Sequence, residues 1–184
     1  SGAGQLFGLA DRAIAAPSSD PLTAAAAAPS QSGWTEAWLW DASDPDLPRP
    51  VERVPALDDV HAMVVEGTTG YALRGSQALV IYDLSTPSRP LERATIEPGN
   101  TLAALAVAGR WLTMLSAEAA STDGVRTYTS TLHVIDVADS ARPQLHGTLR
   151  LPGYPRAVAI DGETAWAVAG GLLYAIDLGN PDQP

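Results

Sequence analysis

Apolar and polar positions alternate along most of this 184-residue chain in short runs rather than at helical spacing. From Trp34 onward the runs are rich in β-branched and aromatic residues and broken by Gly, Pro, Asp and Ser, which predicts strands joined by tight turns. Four runs share one form: Trp38-Leu-Trp-Asp41, Leu79-Val-Ile-Tyr-Asp83, Leu132-His-Val-Ile-Asp136 and Leu173-Tyr-Ala-Ile-Asp177. Each is an apolar strand ending on aspartate, followed by a polar turn that closes on proline. The aspartates lie 42, 53 and 41 residues apart. A second line recurs between them: His61 to Gly67 then Tyr71-Ala-Leu73, Ala104 to Gly109 then Trp111 to Met114, and Ala157 to Gly162 then Ala165 to Val168. Each of these is a strand, a glycine turn and a second strand, the pattern of a β-hairpin. Trp111 and Trp166 are read as standing in register with Tyr71, as packing residues.

One unit is therefore four short strands. In the second copy they are expected near residues 60–66, 70–74, 78–84 and 91–97. The excess in the 53-residue interval falls in Ser116 to Thr131 and predicts an extended polar hairpin loop. Four strands in about 42 residues is how a β-propeller blade is written. Leu79 to Leu84 is apolar on both alternating faces, as a strand buried on both sides must be. A helical solenoid is excluded, because Pro, Gly and β-branched residues interrupt every candidate helix after residue 33. The expected fold is all-β, with propeller blades over residues 34–184. That region holds about 3.6 units, fewer than the smallest common rings. The ring is therefore expected to be incomplete, its open side covered by remaining blades of the same protein or by a protein partner.

Residues 1–33 differ. Leu6, Leu9, Ala10, Ala13 and Ile14 predict a short amphipathic helix over Gln5 to Ala16, stopped by Pro17. Pro17 to Gly33 is a run of Ala, Pro and Ser with almost no charge, and is expected to be an extended, flexible linker. No secretory hydrophobic core lies in this segment, so any signal peptide is expected to be already removed.

The repeat lines resemble the LVIVD-repeat family, propeller-like proteins of bacteria and archaea whose repeats carry a strand close to Leu-x-Val-Ile-Asp-Val-Ser-Asp-Pro. Leu132 to Val137 and Leu79 to Leu84 match best, and Leu173 to Pro184 matches well. Trp38 to Pro50 departs, with Trp40 substituted and residues added before its last proline. The resemblance covers residues 34–184 and none of the N-terminal segment. It implies a propeller fold and an extracellular, cell-surface or periplasmic location, and it implies no assigned chemistry.

Composition narrows the function. Twenty-one Asp and Glu stand against 11 basic residues, for a net charge of −10. That balance argues against nucleic acid and anionic membrane as partners. No apolar run is long enough for a membrane helix. All 11 basic residues are arginine and there is no cysteine. Schiff-base lysines, phosphate-loop lysines, thiolate nucleophiles, disulfides and Cys-ligated zinc are thereby removed together.

What chemistry remains is thin. Asp41, Ser43, Asp44 and Asp46 are spaced somewhat like a calcium loop, yet the glycine turn and distal glutamate are missing from that order. Asp41, Asp83, Asp136 and Asp177 are better read as structural: a strand-ending carboxylate accepts N–H groups of the turn that follows. His61 begins a strand behind Asp58 and Asp59, and His133 stands where sister repeats have Val80 and Tyr174. No Gly-x-Ser-x-Gly elbow frames Ser116, Ser121 or Ser130. No catalytic residue, metal site or cofactor is assigned. Trp38 and Trp40 share one strand face with Trp34 nearby, a candidate interface. The leading expectation is a non-enzymatic scaffold within a larger assembly. Two alternatives stay open: part of a hydrolase-like propeller enzyme with its active site in other blades, or a carbohydrate- or calcium-binding module.

Overall fold

Glycine and Asx-rich turns reverse the chain at short intervals, and each reversal sets a strand beside its predecessor. The computed structural model describes residues 4–9, 12–17, 24–29, 35–41, 46–47 and 49–184. These residues are mostly strand, with no α-helix among them and a 3-10 turn at Pro55–Leu57. The fold is all-β. Two compact units divide it: Ser1–Gly75 with Leu79–Thr95, and Ser76–Ala78 with Ile96–Pro184.

The first unit holds two sheets. One has the order β2-β1-β3-β4-β5, formed by β1 (Gly4–Leu9), β2 (Arg12–Pro17), β3 (Ala24–Pro29), β4 (Thr35–Asp41) and β5 (Arg49–Arg53). The other runs β6 (Val60–Glu66), β7 (Thr69–Arg74), β8 (Ala78–Asp83) and β9 (Leu91–Ile96) in sequence order. These four strands lie within a residue or two of the bounds read from the sequence. Tyr82 is almost fully buried. Its hydroxyl donates to the Ala56 carbonyl at 3.1 Å and accepts from Arg74 at 3.1 Å, and Arg74 also pairs with Glu92 at 3.0 Å.

The N-terminal helix expectation is overturned, and the linker expected over Pro17 to Gly33 lies largely outside the described residues. The helix over Gln5 to Ala16 is instead an antiparallel pair, with β1 and β2 in register from Gly4↔Pro17 to Leu9↔Arg12. A 12-residue helix with Gly8 inside it is marginal by propensity and nucleation. The pair satisfies the same backbone groups across strands. The alanine run of the expected linker is β3, which joins β4 through Ala24↔Trp40 and Ala26↔Trp38. Pairing there removes the open edge that β4 otherwise presents.

The second unit also holds two sheets. Its four-stranded sheet is β10 (Thr101–Ala108), β11 (Trp111–Thr122), β12 (Val125–Asp136) and β13 (Gln144–Pro152). Its three-stranded sheet is β14 (Pro155–Asp161), β15 (Thr164–Ala169) and β16 (Leu172–Asp177). The expected loop over Ser116 to Thr131 proves to be ladder. β11 and β12 pair without a break from Trp111↔Asp136 to Thr122↔Val125. The turn is Asp123-Gly124, both at positive φ (51° and 76°), as a two-residue hairpin turn that follows strand twist requires. Thr127, Tyr128, Thr129 and Thr131 favour the strand state on its return arm.

The core of this unit lies between its two sheets. Leu115, Leu132, Val134 and Leu151 meet Ala165, Ala167, Ala169, Ile176 and Leu178, all buried. Leucines on one sheet face alanines on the other, so the large residues interdigitate with small ones at close sheet spacing.

Candidate functional site

Every repeat has a strand-ending aspartate. Asp83 Oδ1 accepts the Ser85 N–H at 2.8 Å, Asp136 Oδ1 accepts that of Ala138 at 2.9 Å, and Asp177 Oδ1 accepts that of Gly179 at 2.8 Å. Asp41 ends β4 in the same place. Ser43 and Asp44 lie outside the described residues. The second oxygen faces cations in two repeats: Arg93 pairs with Asp83, and Arg110 with Asp136. His146 stands ten residues after Asp136, as Arg93 does after Asp83, with Nε2 at 4.0 Å from the carboxylate. Its Nδ1 lies 2.7 Å from Asp182, and its ring meets Trp111 edge-on at 5.4 Å.

These contacts lower the carboxyl pKa values of Asp83 and Asp136. The Ser85 backbone and hydroxyl, then Arg93, hold Asp83 down at about 2. Arg110 and then the Ala138 N–H lower Asp136. The sign follows directly. A depressed carboxyl stabilises the fold above its unfolded value, near 3.8, and the contribution is lost as pH falls toward about 2. Asp83→Asn is therefore expected to flatten the pH dependence of unfolding between about pH 4 and 2, measured by urea titration at stepped pH. An unchanged acid limb would refute that assignment.

A serine and a histidine do meet in the second unit. Ser116 Oγ lies 2.9 Å from His133 Nε2, and both side chains are buried. Burial lowers the pKa of His133. Its Nδ1 has no hydrogen-bond partner among the described residues. An activated serine needs a base oriented by a third group and a path for substrate. This pair has a base with no orienting group, and it is sealed within the fold. His61 is exposed on β6, and Ser130 Oγ donates to the Gly153 carbonyl at 2.6 Å. No group of three or more His, Asp or Glu among the described residues is placed to hold a metal ion.

The tryptophans divide. Trp38 and Trp40 lie half-buried on one face of β4, while Ala37 and Leu39 are buried on the other. The Trp40 indole N–H is buried without a partner among the described residues, and Trp34 lies outside them. Trp111 does not share the Tyr71 register. Hairpin pairing puts Tyr71 opposite Val64, Thr113 opposite Ala106 and Trp166 opposite Ala159. Trp111 stands two residues earlier, half-buried, with the Arg110 guanidinium 4.7 Å from its ring centre.

That register exposes a contrast the sequence pattern alone does not reveal. Tyr71 and Thr113 are 4% and 0% exposed, but Trp166 is 40% exposed. On the third strand of each repeat, Leu79 and Leu132 are 0% exposed and Leu173 is 65% exposed. Two residues on, Ile81 and Val134 are buried while Ala175 is exposed. By strand alternation Ala157, Ala159, Trp166, Val168, Leu173 and Ala175 occupy one face of β14–β16. It is the face opposite the one carrying Ala165, Ala167 and Ile176 into the core. The open side is apolar, and Trp166, Val168, Leu173 and Ala175 in it occupy positions buried in the other two repeats. The available signal was the recurrence itself, since an aromatic at a repeat position is written identically whether or not something covers it.

No family model matches the chain, and no curated protein matches it.

Proposed function

We propose that the chain is a non-enzymatic interaction module of β-propeller type that scaffolds a larger assembly. The observation that carries this reading is the uncovered face of β14–β16, where Trp166, Val168, Leu173 and Ala175 stand at positions buried in the two preceding repeats. Monomeric proteins seldom leave a contiguous apolar patch in water. Within the second unit, the equivalent face of the preceding sheet, with Leu115, Leu132 and Val134, is covered by the next sheet. One repeat on, Trp166, Val168, Leu173 and Ala175 stand ready for the same kind of cover. The buried and unoriented Ser116–His133 pair supports the non-enzymatic side of the reading. The likeness of the repeat lines to LVIVD repeats supports the propeller form and a secreted, cell-surface or periplasmic location. Among the described residues no helix is long and apolar enough to cross a membrane.

The test is association through that face. Sedimentation velocity is expected to show concentration-dependent self-association of the chain, together with binding of an apolar dye. The double variant Trp166→Arg/Leu173→Glu is expected to remove both and keep the β-sheet circular dichroism. A wild-type chain that stays monomeric and binds no dye would overturn the proposal, as would a double variant that associates unchanged.

A further inference from the structure

The polar hairpin of β11 and β12 outruns the strands on either side of it. β10 makes its last pair at Thr101↔Ala117 and β13 at Pro152↔Thr129, so Glu118 to Tyr128 form a two-stranded arm. Among the described residues no strand lies beside Glu118 to Thr122 on the side away from β12.

Pairing fixes which backbone groups face that side. The Tyr128 carbonyl accepts the Gly153 N–H at 3.0 Å and therefore points away from β11. Opposed residues in an antiparallel ladder turn their groups both inward or both outward. Ala119, opposite Tyr128, thus presents its N–H and C=O to the open edge, and Ser121, two residues on, does the same. The Gly153 contact closes the other edge of the arm beyond Thr127. Glu118 to Thr122 contain no proline or lysine, so the open edge lacks the usual protection. The single charge there, Glu118, lies at the inner end, 4.0 Å from Arg150.

Side chains make the same edge a shelf. Along β11 they are small: Ala119, Ala120 and Ser121, all exposed. Across the ladder Ala119 stands opposite Tyr128 and Ser121 opposite Arg126, on one side of the arm. Tyr154 meets the Tyr128 ring edge-on at 5.1 Å and braces it. Arg126 is exposed, with no ion-pair partner among the described residues. A tyrosine wall and a free guanidinium therefore stand one strand spacing, about 4.8 Å, behind a row of small residues. Tyr and Arg are among the side chains enriched at binding surfaces.

We infer that this edge takes up an extended antiparallel segment of a partner protein, with a carboxylate opposite Ser121 and a bulky apolar side chain two residues later, opposite Ala119. Backbone pairing supplies affinity, and the alternate side chains supply specificity. Arg126 reaches the carboxylate across Ser121, and the apolar group lies over Ala119 against Tyr128. The inference goes beyond the reading above, since it uses none of the residues on the open face of β14–β16.

The probe is a labelled peptide, Ser-Thr-Glu-Thr-Ile-Thr-Ser, offered to the intact wild-type protein and to the Trp166→Arg/Leu173→Glu variant, and followed by fluorescence anisotropy. Saturable binding to both is expected with Kd of about 10 μM to 1 mM, with slowed hydrogen exchange at the Ala119 and Ser121 amides. The reversed peptide, of identical composition, and the variant Arg126→Gln are each expected to weaken binding about two- to five-fold. Ser121→Pro removes an N–H that the arm's own ladder does not use. It is expected to abolish binding and keep the β-sheet circular dichroism; if that signal is lost, the reversed peptide and Arg126→Gln decide. No saturable binding by the wild type, or binding indifferent to peptide direction and to Arg126, would overturn the inference. So would a peptide that binds the wild type and not the double variant, because it would then sit on the open face. If the peptide fails while face-dependent association persists, the arm inference alone falls. If the peptide binds while that association is absent, the open-face reading falls and the arm inference stands.

Discussion

Leu132→Ala is expected to destabilise the second unit by about 2–5 kcal/mol. Leu132 is fully buried on β12 and packs among Leu115, Val134 and Leu151 against an alanine-lined sheet. The opposing residues, Ala165, Ala167 and Ala169, are too short to move into the space left behind. The site therefore collapses poorly, and the cost should fall toward the upper part of the range. Denaturant unfolding at neutral pH reads it directly, with Val134→Ala as a smaller deletion in the same cluster. A loss under about 1 kcal/mol would mean that these two sheets are not closely packed.

Gly170→Ala carries the second large effect, through the backbone. Gly170 has φ +58° and donates its N–H to the Tyr154 carbonyl at 3.1 Å. A Cβ there would come within 2.6 Å of the Pro152 carbonyl oxygen and 3.2 Å of the Gly153 Cα. Gly153 is itself at φ +85°, so two turns touch backbone to backbone and neither can yield by rotating a side chain. The left-handed conformation alone costs a non-glycine residue roughly 1–2 kcal/mol, and the overlap adds about 1–3. A loss of at least about 2 kcal/mol is expected on unfolding. Gly171→Ala serves as the control: it shares the strained φ but has open space around the new Cβ. Equal losses for the two would remove the close approach from the explanation.

How much of this was legible in the sequence depends on whether the determining interaction was local. The strands of the second repeat were readable because their apolar runs are bounded by glycine and Asx turns that act within a few residues. Residues 5–16 show the opposite case. Their spacing of Leu6, Leu9, Ala13 and Ile14 fits a helix, and what decides the outcome is strand pairing, which a periodicity count does not see. The β11–β12 arm reads as loop because its residues are polar. Asp123-Gly124 was the stronger signal, since a two-residue positive-φ turn needs ladder on both sides. At the repeat aspartates the turn bond follows from residue type and position. Their cations come from other strands or turns, and Arg110 precedes its partner by 26 residues. The uncovered face was beyond reach for a different reason: a repeated sequence line specifies a side chain's direction, and the number of neighbours around it decides exposure.

The Asp123-Gly124 turn also has a consequence for the misfolded alternatives open to the chain. β11 and β12 are joined by the shortest hairpin connection, so this turn alone sets which residue of one arm meets which of the other over 12 consecutive pairs. Insertion of one residue after Gly124 would let β12 slide by one position. Leu132 and Val134 would then turn away from the alanine-lined sheet, and His133 and Thr131 would turn toward it. A single added residue at an exposed tip would thus move an imidazole from its own buried face in among leucines and alanines and turn two aliphatic side chains away from them. The turn works as a phase lock on the whole second unit, and shifts of phase rather than loss of contacts are the errors to look for in variants at that tip.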